Sequence, residues 1–246
     1  MLNELEPGEI DGALATLPPT LNKAYEEIMK RIEKRTGAKK TAIRTLSWIL
    51  NSGRPLHMDE LRELLLIRNG MTKLNHNDLY EPGYILDACQ SLVICGKSSG
   101  IVRFAHYAVR EFLLKDYKQL RSTTDLAIDC LTYLGFDTFE EGPTQYIEAR
   151  LKNYKAFDYI TRYWDSYARD SFATDAESSD EVQRLTLAFL DSDNKRNAML
   201  QVRGNDFTLT KTPLHVLAEC GLASICRAVL DQAQNDAQMY TLMSFN

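Results

Sequence analysis

Between residues 92 and 104 the chain changes its hydrophobic period, and that change limits the available folds most. Leu92-Val93-Ile94-Cys95 and Ile101-Val102-Arg103-Phe104 are short runs rich in β-branched residues, joined by Gly96-Lys97-Ser98-Ser99-Gly100. This is a hairpin signal. A two-stranded hairpin is marginal alone, so it must pack on something. What precedes it is helical. Leu21, Tyr25, Ile28 and Ile32 recur at spacings of four, three and four, with Thr20 as the expected N-cap and Gly37 as the stop. A second helix is expected over about 39–50, with Ile43, Leu46 and Leu50 on one face, ended by Asn51-Ser52-Gly53-Arg54-Pro55. A third begins near Met58, burying Leu61, Leu64 and Leu65. Glu60 lies three residues after His57, the spacing of a capping box with histidine as the cap. Residues 69–78 read as a polar loop. Pro82 suits the first turn of a fourth helix that buries Ile85, Ala88 and Cys89. Helices followed by a hairpin make a winged-helix order.

After the hairpin the period is helical again. Val109, Phe112 and Leu113 mark one helix; Leu126, Cys130 and Leu134, with Gly135 as a stop, mark the next. Residues 145–151 and 156–168 read as a helix pair, 170–180 as a Ser/Asp/Ala-rich loop, and 181–190 as a short helix.

Two stretches resemble known families. Ile10-Asp11-Gly12-Ala13-Leu14-Ala15-Thr16-Leu17-Pro18-Pro19-Thr20-Leu21, leading into Tyr25, Ile28 and Arg31-Ile32, resembles the segment just after the nucleotide-binding NACHT module of fungal NOD-like receptors. Leu46-Ser47-Trp48-Ile49, Arg54-Pro55-Leu56, Glu60-Leu61, Cys89-Gln90-Ser91-Leu92-Val93 and the run from Phe104 to Leu113 resemble the winged-helix domain of those receptors, shared with GPI inositol-deacylases. Ala108 stands where that pattern has serine. Ala156-Phe157-Asp158-Tyr159 and Tyr163-Trp164 resemble the helical segment that follows. The second stretch, Thr212-Pro213-Leu214-His215-Val216-Leu217-Ala218-Glu219-Cys220-Gly221, is similar to the ankyrin-repeat signature, with 222–231 supplying a second helix. Leu217 replaces the usual alanine and Thr210 the usual glycine. The resemblance implies that His215 is structural, its ring bonding backbone in the neighbouring turn.

Several constellations invite chemistry. Gly96-Lys97-Ser98 lacks the glycine five residues earlier that a phosphate loop needs, since position 91 is serine, and it joins strand to strand. A DNA-reading winged helix needs cations on its recognition helix; the stretch 82–91 carries Asp87, follows Glu81 and has no Lys or Arg, and the wing offers only Lys97. Tyr154, Phe157, Tyr159, Tyr163, Trp164, Tyr167 and Phe172, interleaved with Lys155, Arg162 and Arg169, could stack bases. Ile160, Tyr163, Trp164 and Tyr167 also fall at helical spacing, which a helix core explains. His57, His76, His106 and His215 have no ligand-like spacing to any of the five cysteines, and Cys89/Cys95 and Cys220/Cys226 are too widely spaced for zinc pairs.

Composition closes the alternatives. The chain of 246 residues is 44% hydrophobic, which excludes a disordered or low-complexity chain. Net charge is −5, against a nucleic-acid binder. No apolar run nears the roughly 20 residues of a membrane span. The acidic start and odd cysteine count imply reduced thiols in the cytoplasm. The expectation is therefore a mostly α chain in four parts: 1–38, a helical segment after a NACHT module outside this chain; 39–120, a winged helix of three helices and a β-hairpin; 121–201, a helical linker; 202–246, a first, partial ankyrin repeat. No catalytic, metal or cofactor residue is expected. The ankyrin signature residues Thr212, Pro213, Leu214, His215 and Gly221 are structural, and Leu222, Ile225, Val229 and Leu230 should form an exposed stacking edge. The implied function is non-enzymatic: a regulatory scaffold coupling NACHT and ankyrin modules by protein–protein contacts, with self-association and without nucleic-acid or membrane partners. The alternative is a nucleic-acid-binding winged-helix regulator.

Overall fold

A computed structural model describes residues 19–117, 120, 122–174, 176–204 and 211–231, without the side chains of 19–20, 173–174 and 176–178. The expectations that fall on residues 1–18, 205–210 and 232–246 lie outside that range. The described chain is mostly helical and forms two compact units, one of the described residues within 19–66 and 77–122, the other of those within 67–76 and 123–231.

In the first unit, α1 (Pro19–Lys34) and α2 (Lys39–Asn51) lead into β1 (Leu56–His57), α3 (Met58–Leu66), α4 (Pro82–Ala88), β2 (Val93–Cys95), β3 (Ile101–Phe104) and α5 (Tyr107–Asp116). Pro19 opens α1, so Thr20 is inside the helix rather than its cap. The buried stripe of α1 is Tyr25, Met29 and Ile32, with Ile28 at its margin. On α2, Ala42, Leu46, Trp48 and Leu50 are buried and Ile43 is half-buried. The sheet has the order β1-β3-β2, all antiparallel. Alternation is clear across the hairpin. Val93 opposite Phe104 faces the helices, while Ile94 opposite Arg103 faces outward. The hairpin thus gains a third strand, which pairs Leu56 with Val102 and buries Leu56.

The start of α3 is the capping box read from the sequence. The backbone N–H of His57 donates to Glu60 Oε2 at 2.7 Å, and His57 Nδ1 accepts from the Asp59 N–H at 3.2 Å. Arg54 donates to both Glu60 oxygens, at 2.9 and 2.6 Å, neutralising a carboxylate that is 9% exposed.

The second unit is built on α6 (Thr124–Leu134), α7 (Ile147–Asn153), α8 (Phe157–Thr174), α9 (Ala176–Asp191), α10 (Asp193–Val202) and α11 (Pro213–Glu219). A 3₁₀ turn covers Asp137–Glu141, and residues 223–231 are helical. Its core is aromatic. Phe139 stacks on Phe157 with ring centroids 4.2 Å apart, Tyr133 lies 4.9 Å from Phe136, and Trp164 meets Phe189 edge-on at 5.9 Å. The loop expected over 170–180 is instead helical at 170–174 and 176–180. Ser171 turns its hydroxyl back onto the Ala168 carbonyl at 2.7 Å, so a residue that usually competes with the backbone is satisfied within the helix. Loop 67–76 belongs to this unit: Asn69 donates to Glu181 at 2.9 Å, Thr72 O accepts from the Asp137 N–H at 2.8 Å, and His76 Nε2 lies 2.7 Å from the Asn153 carbonyl.

Candidate interaction surfaces

The signature at 212–221 folds as a capped helix with a defined stop. Thr212 is the N-cap; its Oγ1 accepts from the His215 N–H at 3.4 Å, and Pro213 follows in the first turn. The His215 ring turns inward on this cap, with Nδ1 2.7 Å from Thr212 Oγ1. Among the described residues its ring partner is the cap hydroxyl. At the other end Gly221 has φ +67°, the Gly221 N–H donates to Ala218 O at 3.1 Å, and the Leu222 N–H donates to Leu217 O at 2.9 Å. These two bonds make a Schellman motif, and Leu217 and Leu222, both buried, supply its apolar contact.

This stop is docked on α8. Arg169 Nη1 donates to the Cys220 carbonyl and to Asp165 Oδ2, the latter at 3.0 Å. Arg203 donates to Cys220 Sγ at 3.5 Å and approaches Asp165 at 3.9 Å. Asp165, 7% exposed, therefore sits between two guanidinium groups. The Asp165–Arg169 spacing of four was a visible helix pair; nothing local ties Arg203 or Cys220 to it.

Of the four residues expected at an open edge, Leu222 and Ile225 are buried, Val229 is half-buried and Leu230 is 48% exposed. The signature fixes a helix pair's inner face, and Leu222 and Ile225 lie on it. The apolar surface left open is a shallow groove between the two helices, lined by Ala218, Ala223, Cys226 and Leu230 with Arg227 at its edge.

On the winged helix, exposed side chains of α4 are tied to the segment after α1. Arg35 donates to the Asp87 carboxylate at 2.6 Å and to the Asp87 carbonyl at 2.8 Å, and Tyr84 Oη donates to Gly37 O at 3.2 Å. The wing presents Lys97, and β3 adds an exposed Arg103 beside Ile94. The Gly96-Lys97-Ser98 segment is a strand-to-strand turn: the Gly96 N–H donates to Ile101 O and the Gly100 N–H to Gly96 O. It has no helix to lay phosphate against.

Most aromatic residues of α8 are core, while Tyr163 and Phe172 are half-buried. Phe157, Tyr159, Trp164 and Tyr167 are buried, and the Tyr159 and Tyr167 hydroxyls bond each other at 2.5 Å. The buried thiols are poor nucleophiles. Burial pushes Cys89 up to about 12 and Cys220 to about 11, and raises Cys130 well above the usual thiol range. Among the described residues no three His, Cys, Asp or Glu side chains converge as metal ligands, and no helix is long and apolar enough to cross a membrane.

No curated protein and no solved structure matches the chain. Residues 29–129, from the middle of α1 into α6, match the family described as GPI inositol-deacylase, winged helix domain, and the helices and small antiparallel sheet of the first unit agree with a winged-helix domain there.

Proposed function

We propose that the chain is a non-enzymatic regulatory segment of a NOD-like receptor. It couples an upstream nucleotide-binding module to downstream ankyrin-type repeats through protein–protein contacts. One observation carries the reading: each candidate surface is built for adhesion. The helix that would read DNA, α4, has no Lys or Arg of its own, and its Asp87 engages the neighbouring Arg35. The 212–231 helix pair, by contrast, leaves an apolar groove open beside Leu230. Rigid packed modules of this kind change contacts in discrete steps, which suits a coupler.

The test is hydrogen exchange on the full open reading frame, with and without added nucleotide. Coupling predicts altered protection in α4, α5 or the 213–231 helix pair on nucleotide addition. Unchanged protection there, or an open reading frame with no nucleotide-binding module, overturns the reading. Saturable duplex-DNA binding with a steep salt dependence would support the nucleic-acid alternative instead.

A further inference from the structure

Two arginines of the second unit are buried, and they differ in one respect. Arg196, 2% exposed, has a partner for every guanidinium nitrogen. Nε donates to Lys211 O at 2.8 Å, Nη1 to the Leu190 carbonyl, and Nη2 pairs with Asp193. Arg150, on α7, has a side chain only 6% exposed. Its Nη1 donates to Gly142 O at 2.7 Å, and its guanidinium lies 6.0 Å from the centre of the Phe139 ring. Among the described residues, Nε and Nη2 make no hydrogen bond. Glu141 forms an ion pair with it, 3.6 Å from Nη2, but is beyond hydrogen-bond length and 78% exposed, so the pair is weak and largely in water.

A buried cation with spare donors needs an acceptor. Arg150 lines a polar depression together with Thr138, Thr144, Tyr146, Asn153 and Glu141. The hydroxyls there are set to donate. Thr138 Oγ1 already accepts from Tyr154 Oη at 3.1 Å, and Thr144 Oγ1 already accepts from the Tyr146 N–H at 3.1 Å. Each threonine therefore keeps its own proton free. Thr144 is itself held on both sides of its backbone by Gln201, which accepts from its N–H at 2.9 Å and donates to its carbonyl at 2.7 Å. The wall is thus fixed, and it presents a cation and two hydroxyl donors to one space. The complement of such a set is an acceptor-only anion.

We propose that this depression is an oxyanion-binding site, for a phosphate or carboxylate group, in which Arg150 supplies the charge and Thr138 and Thr144 donate to the remaining oxygens. Glu141 stands at its mouth as a competing carboxylate that the ligand displaces. The site is independent of the function proposed above.

The test is an NMR titration of the whole chain with inorganic phosphate, and separately with acetate, against sodium chloride at matched ionic strength. Binding predicts saturable shifts at the Gly142, Thr144 and Arg150 amides with one of the two anions, and the anion that saturates names the chemistry. Glu141→Gln removes the competing charge from an exposed position and should tighten binding roughly fivefold, the size of one exposed charge contact. Thr144→Val should weaken it. If Arg150→Met folds, it should abolish the response. Absence of saturable shifts with both anions, in wild type and Glu141→Gln alike, overturns the proposal, as does equal affinity in wild type and Glu141→Gln.

Discussion

The turn between β2 and β3 is held against the start of α3 by one glycine, and its replacement has a calculable cost. Gly100 has φ +65°, and its carbonyl accepts the Met58 N–H at 2.9 Å, so the turn cannot drift. A Cβ there would lie 2.7 and 2.8 Å from Cδ2 and Cε1 of His57, inside contact distance. In Gly100→Ala the left-handed backbone costs about 1 kcal/mol. The imidazole must also swing away, and it loses the Asp59 N–H it caps, which adds about 1 kcal/mol. The sum is about 2 kcal/mol. In a His57→Ala background the obstacle and the cap are already gone, so the same change should cost only about 1 kcal/mol. The double-mutant cycle therefore carries a coupling of about 1 kcal/mol. Urea unfolding by fluorescence in a Trp164→Phe background measures it. Trp48, buried in α2, is then the sole indole and reports on the winged-helix unit. Equal cost of Gly100→Ala with and without His57 would refute the steric argument.

Three further outcomes follow from the second unit and the thiols. Gly221→Ala should destabilise by about 1 kcal/mol through its left-handed backbone alone, because the added methyl meets Arg169 Cδ at an ordinary 3.5 Å; a loss above about 3 kcal/mol would mean the docking on α8 had failed too. Arg184 and Asn69 hold the Glu181 carboxyl down to about 2, so the stability this pairing contributes is present above the ordinary Glu range and is lost as pH falls toward 2. In Arg184→Gln, carbon-detected NMR should find Glu181 titrating nearer its usual value, and an unmoved titration rejects the pairing as the cause. Cys89, Cys130 and Cys220 should resist iodoacetamide at pH 7.5 in the native protein and react in urea; native labelling of any of them by mass spectrometry contradicts the burial that raises their thiols.

Local chemistry made much of the winged helix legible. The His57–Glu60 box, Pro82 in its helix and the hairpin are all short-range patterns, and each has its expected bonds or register. The third strand was not legible, because two residues after Pro55 carry no period; only pairing with Val102 makes Leu56 a strand. The helical stretch at 170–174 was missed for a related reason. Ser and Asp favour loops when exposed, and only burial beside Ala168 makes the back-bonded Ser171 rotamer pay off. Likewise the helix pair at 212–231 was readable, but which of its leucines stay covered was not. Covering Leu222 depends on Leu217, and the docking of that turn depends on Arg169, 51 residues from Cys220 along the chain. Arg150 had no sequence signal at all: what singles it out is burial with one hydrogen-bonded nitrogen and a long, exposed ion pair.

The chain leaves its first unit at Ile67 and returns at Asn77, and the excursion completes the second unit. On the ribosome, Ile67 and Leu74, both buried at the end, emerge well before α6 and the helices that follow it. They must wait, uncovered, while more than fifty further residues are translated. No single cut yields the second unit intact: stopping synthesis after residue 122 keeps the first unit but strands 67–76 without the helices it packs with, and starting at residue 123 omits that segment.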